Sequence, residues 1–224
     1  MRPAIGLLGV VLFGRTAIAQ PQPDVTEILK KVGATYQAAT EYEFVVDGTI
    51  PADKNGTEAS FHMLFAFKPP NKYRLEGAMP GMGFGHSESI AVHDGVNLWF
   101  YMPKENQYGS IPGEKLTPGA PGDLGDASPE FLNMAFRKSF GEMMKGAALV
   151  REENLSVNGA RASCYVFETR SGTFWVDKSR YVILQAQTGE ARIVFTSVKL
   201  NESLPDDLFK FEPPPGAKRV EVQP

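Results

Sequence analysis

Apolar and polar positions alternate along most of this chain, and the place where the alternation fails is the most informative. Val96 to Tyr101 reads Val-Asn-Leu-Trp-Phe-Tyr. Side chains alternate along a strand, so Leu98 and Phe100 point one way and Trp99 and Tyr101 the other. A half-wet antiparallel strand would be polar on one side. This one must be covered on both faces or line an apolar cavity. Ser89 to His93 precedes it across Asp94-Gly95, and the pattern predicts a hairpin with a two-residue turn. His93 is expected as a surface or turn residue of that hairpin.

The same periodicities organise the rest. Asp24 and Glu27 stand at capping-box spacing. Val25, Ile28, Leu29, Val32 and Tyr36 form a helical stripe behind them. Tyr42 to Ile50 and Glu58 to Lys68 read as strands around the turn Asp53 to Gly56. The second strand places Phe61, Met63, Phe65 and Phe67 on one face. Pro69-Pro70 ends it, since neither residue can donate to a ladder. Lys72 to Gly77 is a third strand, and Ala78 to Ser87 is a glycine-flexed loop carrying Met79, Met82 and Phe84. Its glycines lack the spacing and the following helix of a phosphate loop.

Gly109 to Ala127 reads as a long Gly/Pro linker. Ser128 and Pro129 then open a predicted helix ending near Gly146. Its apolar face carries Leu132, Phe136, Phe140, Met143 and Met144. Strands follow over 148–155, 161–169, 173–176, 181–187 and 190–200, with a short one over 206–211 and a closing Pro213 to Gly216. No helical pattern separates these strands, so the sheet should be antiparallel. The expected class is α+β: a curved antiparallel sheet of about 10–11 strands with helices over a hydrophobic cavity.

The 224 residues suit one domain, with a leader in front. Arg2, the apolar run Ala4 to Phe13 and the small-residue box Ala17 to Ala19 have the form of a signal peptide cleaved after Ala19. The run is too short to span a bilayer. Gln20, not Cys, follows the expected cut, so no lipid attachment is signalled there. The domain would then be 20–224, exported, with 21 basic against 26 acidic residues. That balance and the absence of a basic cluster give no reason to expect nucleic acid.

The chemistry that would signal an enzyme is missing from the pattern. The three histidines, His62, His86 and His93, do not stand at metal-ligand spacing. There is no nucleophile elbow. Glu152-Glu153 and Asp206-Asp207 are adjacent pairs, which point to different sides. Cys164 is alone in the chain and sits in a strand pattern, as a buried structural thiol would. No cofactor is expected. Several strands are apolar on both faces, and a dry wall of Phe and Met is enough to hold acyl chains, at about 0.8 kcal/mol per methylene buried.

Four segments together resemble the superfamily of LolA-like periplasmic carriers and sorting proteins of outer-membrane lipoproteins. They are the opening helix Asp24 to Tyr36, the stretch Phe67 to Arg74, the stretch Asp94 to Pro103 and the tail Leu204 to Pro214. The resemblance implies an incomplete, strongly curved barrel with helices as a lid over a hydrophobic cavity. It implies a monomer that binds acylated lipoproteins or lipids between an inner-membrane donor and an outer-membrane acceptor, without catalysis. In such carriers an Arg that aids lid reopening directly precedes the proline of the Lys-Arg-Pro-Asn stretch; here that position is Pro69. The cavity candidates are Phe65, Phe67, Leu98, Trp99, Phe100, Tyr101, Phe136, Phe140, Met143 and Trp175. The pattern does not choose between the two faces of the 98–101 strand. A lipid-sensing module acting on a membrane partner, and an enzyme with acids assembled in space, remain as alternatives.

Overall fold

Every strand among the described residues joins one sheet. The computed structural model describes residues 24–50, 59–78, 88–115 and 144–221. The helix expected between Ser128 and Gly146 lies outside these residues up to Met143, as do the expected leader and the loop at 79–87. The helix α1 (Val25–Gln37) is followed by β1 (Tyr42–Ile50), β2 (Ala59–Lys68), β3 (Lys72–Gly77), β4 (Ser89–His93), β5 (Asn97–Met102) and β6 (Gln107–Pro112). After the undescribed segment come β7 (Ala148–Val157), β8 (Ala160–Glu168), β9 (Thr173–Asp177), β10 (Ile183–Thr188), β11 (Ala191–Leu200) and β12 (Lys218–Arg219). The spatial order is β12-β6-β5-β4-β3-β2-β1-β11-β10-β9-β8-β7.

The expected antiparallel sheet is present, with one parallel exception at the edge, where β12 lies beside β6. Three expectations need correction. The linker read from Gly109 begins later, because β6 runs on to Pro112 and pairs with β5 throughout. Residues 206–211 are not a strand: Asp206–Phe209 forms a 3-10 turn. The turn of the β4–β5 hairpin is longer than two residues. His93 pairs with Leu98, and the chain between them closes through Asp94 N–H donating to the Asn97 carbonyl at 3.1 Å. Asp94 Oδ1 accepts from the amides of Val96 and Asn97 at 2.8 Å each, and Gly95 takes φ +102°, where a side chain would be strained.

Register sorts the side chains onto two faces. Tyr42 and Phe44 of β1 stand opposite Phe67 and Phe65 of β2, which stand opposite Tyr73 and Leu75 of β3. The row continues through His93 and Ala91 to Leu98 and Phe100. The buried members of this row share one core with Ile28, Val32 and Tyr36 of α1, so this is the helix face. Asp24 caps α1 by accepting from the amides of Thr26 and Glu27, as the spacing predicts. Tyr36 ties the helix to the far half of the sheet, its hydroxyl accepting from the Ile183 amide at 2.8 Å. Tyr42 centres an aromatic cluster with Phe44, Phe65 and Phe67 at 5.4–5.6 Å between ring centres. Each such pair adds about 0.5–1.5 kcal/mol beyond the area it buries.

The opposite face of β2 to β6 is covered by the carboxyl-terminal segment. Leu204 and Phe209 bury themselves with Ala66 in a second, smaller core. Lys68 holds the segment by donating to the Leu204 carbonyl at 2.7 Å and pairing with Asp206 at 2.9 Å. Phe211 lies further along, over the aromatic rings of β5 and β6. The chain then enters β12, which explains the parallel edge. At the other end, the tip of the β7–β8 hairpin meets β11, where Asn158 Nδ2 donates to the Thr196 carbonyl at 2.9 Å. The sheet is therefore open at β12 and β7 and folds back on itself at one end. The only α-helix among the described residues is α1.

Candidate functional site

The two greasy sides of β5 have different owners. Leu98 and Phe100 belong to the helix face, together with Phe65 and Phe67. Phe67 and Leu98 are buried, whereas Phe65 and Phe100 are only partly so. Met63 and Met102 add flexible, partly buried side chains to the same face. Aromatic rings interleaved with Met form an adaptable apolar wall. Tyr73 lies within it, fully buried, and its hydroxyl has no hydrogen-bond partner among the described residues. Burial with nothing to stabilise the phenolate pushes the Tyr73 hydroxyl well above its ordinary pKa.

Trp99 and Tyr101 lie on the opposite face. Trp99 stacks on Phe211 and donates its indole N–H to Asp94 Oδ2 at 2.8 Å. Tyr101 donates to Asn106 Oδ1 at 3.0 Å. Both polar tips are thus engaged locally. Burial tends to raise the Asp94 pKa, but the Asn97 amide, the Trp99 indole and the Val96 amide together hold it below the ordinary carboxylate value. Trp175 stands on β9, four strands from β2, and is buried in the same core as Phe67, Leu98 and the α1 stripe. There it faces Val166 and Gln185, donates to Glu153 and lies beneath the Arg151 guanidinium at 5.8 Å. The structure therefore aligns Phe65, Phe67, Leu98 and Phe100 on one face, sets Trp99 and Tyr101 on the other, and joins Trp175 to the same core from the far half of the sheet. Phe136, Phe140 and Met143 lie outside the described residues.

His93 departs from its expected surface position. It is 3% exposed and stacks on Tyr73 at 5.4 Å and 18°. Its Nδ1 accepts from the Gly95 amide at 3.2 Å, which makes it part of the hairpin's frame. The adjacent acids are spent on cations: Glu152 on Lys178, Glu153 on Arg151, and Asp206 on Lys68 and Lys72. Cys164 is buried, and desolvation together with the nearby Asp177 carboxylate pushes its thiol up to about 11. Among the described residues no group of three or more His, Cys, Asp or Glu could hold a metal ion. Among them, too, no helix is long and apolar enough to cross a membrane. The sequence pattern does not show that the tail packs on the Trp99 side of β5. Its one signal was the spacing of Leu204, Phe209 and Phe211 among charged residues.

No known family model matches the chain. An uncharacterized protein of Methanocaldococcus jannaschii is 28% identical over 225 residues, covering 95% of this chain. The match takes in 57% of that protein, so the chain spans little more than half the length of the relative. Solved structures similar to it include an uncharacterized conserved protein from Thermus thermophilus, 15% identical, covering 87% of this chain and 97% of that one with a TM-score of 0.42. A LolA superfamily protein from Nitrosomonas europaea is 17% identical and covers 83% of this chain and 97% of that one, with a TM-score of 0.31.

Proposed function

We propose that this chain is a non-catalytic carrier that holds acyl chains of lipids or lipoproteins against the helix face of its sheet. The observation that carries the reading is the apolar wall made by Phe65, Phe67, Leu98 and Phe100, of which two rings remain partly open. Transfer of a 16-carbon chain from water to such a wall is worth on the order of 10 kcal/mol, at about 0.8 kcal/mol per methylene. No specific polar contact is required. The ordered motifs read from the sequence support the same function. In this reading residues 1–19 are a leader removed on export, and 20–224 form one periplasmic domain. It passes cargo from an inner-membrane donor to an outer-membrane acceptor. Phe136, Phe140 and Met143 would complete the wall.

The test is mass spectrometry of the protein purified under native conditions from its own envelope, paired with uptake of a fluorescent fatty acyl probe. Acylated proteins or lipids bound one to one are the expected result. Phe65→Glu and Phe100→Glu should each weaken probe uptake by tenfold or more. Trp99→Phe, on the opposite face, should leave uptake unchanged. An empty protein that also fails to take up the probe would overturn the reading.

A further inference from the structure

On β11 the strand β10 pairs only with residues 191–194. Beyond that point β11 continues alongside β1 while the chain turns away through residues 178–182. A groove of about 710 Å³ opens there, between β11, the β9–β10 turn and the tip of the β7–β8 hairpin. Two side chains take over the carbonyls that β10 leaves bare. Asn158 Nδ2 donates to Thr196 O at 2.9 Å, and Arg180 Nη1 donates to Val198 O at 3.0 Å. The second contact fixes the Arg180 guanidinium at the groove wall and leaves its other donors uncommitted.

Four cations line the groove, Arg161, Lys178, Arg180 and Lys199, against two carboxylates, Asp177 and Glu202. Lys178 and Lys199 are neutralised from outside it, by Glu152 and Glu43. Asp177 is turned inward: its Oδ1 accepts from the Ser179 amide, the Ser179 hydroxyl and the Arg180 amide at 2.6–2.8 Å. Neither arginine is held in an ion pair among the described residues, although the Arg180 charge acts on the nearby Asp177 carboxylate. Arg161 is exposed on β8 and Arg180 follows the end of β9, so the two residues line one concave space from different elements. Leu184 and Val198, both buried, supply an apolar part of the lining.

From this geometry we propose that the groove is a second binding site, for a phosphate ester, with Arg161 and Arg180 as the oxyanion ligands. A carboxylate offers two oxygens in one plane. A phosphate presents a tetrahedral set that guanidinia from two elements can share, each as a fork. The groove is much larger than a bare phosphate, and the Leu184 and Val198 surface suits the attached organic group. Leu184 and Val198 reach the groove from the same core that holds Phe67, but the arginines that define the site lie beyond the wall formed by Phe65 and Phe100, so it does not depend on the acyl-chain reading.

The experiment is isothermal titration of the mature chain at low salt with inorganic phosphate and with monooctyl phosphate below its micellar concentration. Octyl glucoside is the uncharged control of the same chain length. Arg161→Gln and Arg180→Gln should each weaken monooctyl phosphate at least fivefold, and the double variant should abolish its binding. Gln at 180 retains a donor for the Val198 carbonyl, and the exposed Arg161 side chain has no hydrogen bond or ion pair among the described residues. Lys30→Gln, on the exposed side of α1, should change nothing. If inorganic phosphate binds with the same arginine dependence, the ligand is recognised as a soluble phosphate ester. If only monooctyl phosphate binds, the site takes a lipid headgroup. No binding of either probe, equal binding by the double variant, or an equal loss in Lys30→Gln would overturn the proposal. Phe65→Glu should leave the arginine-dependent phosphate binding intact, which separates this site from the acyl wall.

Discussion

Phe211 lies over the indole of Trp99 with 5.6 Å between ring centres and 19° between their planes. One edge of that indole is fixed by Asp94 at 2.8 Å. Trp99 is therefore held between the turn that precedes its own strand and a residue over a hundred positions away. Tyr101 and Tyr108 meet the same phenyl ring at 6.3 and 5.8 Å. The contact covers part of the tail face of β5, where Trp99, Tyr101 and Phe211 stay partly exposed beside a groove of about 490 Å³.

Phe211→Ala should strip the cover from three aromatic rings at once. The expected cost is about 2 kcal/mol, below the range for fully buried aromatic truncations because Phe211 is itself only partly buried. Urea unfolding should show the lowered midpoint. Native tryptophan emission should shift to the red, since Trp99 is one of two tryptophans in the chain. Unchanged emission would mean that the ring does not shield Trp99.

Much of this arrangement is legible in the sequence because it is local. The Asp24 cap, the α1 stripe and the alternation of Phe61 to Phe67 each follow from neighbours within one turn or one strand. Strand β6 was hidden by its glycine and proline, whose propensities favour a loop, while pairing with β5 overrides them. The tail was misread as a strand because Leu208 and Phe211 are spaced for either structure. What settles it is Lys68, far away in the chain, pairing with Asp206. His93 looked exposed because a turn usually is, whereas stacking on Tyr73 buries it. The face assignment of Leu98 to Tyr101 depends on both the helix and the tail, and no pattern within the strand contains either.

Two tyrosine-to-phenylalanine changes should have opposite signs. Tyr36 accepts the buried Ile183 amide, so Tyr36→Phe leaves that donor unpaired and should cost about 1–3 kcal/mol. The Tyr73 hydroxyl has no partner among the described residues, so Tyr73→Phe should be neutral or stabilising by up to about 1 kcal/mol. Chemical unfolding of both variants checks the pair. A Tyr73→Phe variant as destabilised as Tyr36→Phe would show that its hydroxyl is engaged after all.

Asp94 sets an acid limit on the hairpin. Its pKa in the folded chain lies below the ordinary 3.8 because hydrogen bonds to its carboxylate outweigh desolvation. A depressed folded-state value contributes stability that is fully present above the unfolded pKa and is lost as pH falls through the folded one. Thermal midpoints should therefore fall as pH drops below about 4, near the unperturbed value for Asp. In Asp94→Asn the midpoint should be lower at pH 7 and less steep in acid. An identical acid slope in the two proteins would remove Asp94 from the account.

Cys164 should be chemically silent until the chain opens. It is buried in β8, and the desolvation that raises its thiol to about 11 also keeps reagents away. Because the folded state favours the protonated thiol, its contribution to stability is present below the unfolded pKa, near 8.5. It is lost as pH rises through the folded value. Labelling by iodoacetamide at pH 8 should therefore proceed at the rate of opening and become fast in urea. Stabilising or destabilising the fold elsewhere, as by Tyr36→Phe, should change that rate in step. Rapid labelling of the native protein at a rate independent of such substitutions would show a reactive, accessible thiol and would reopen Cys164 as a functional group.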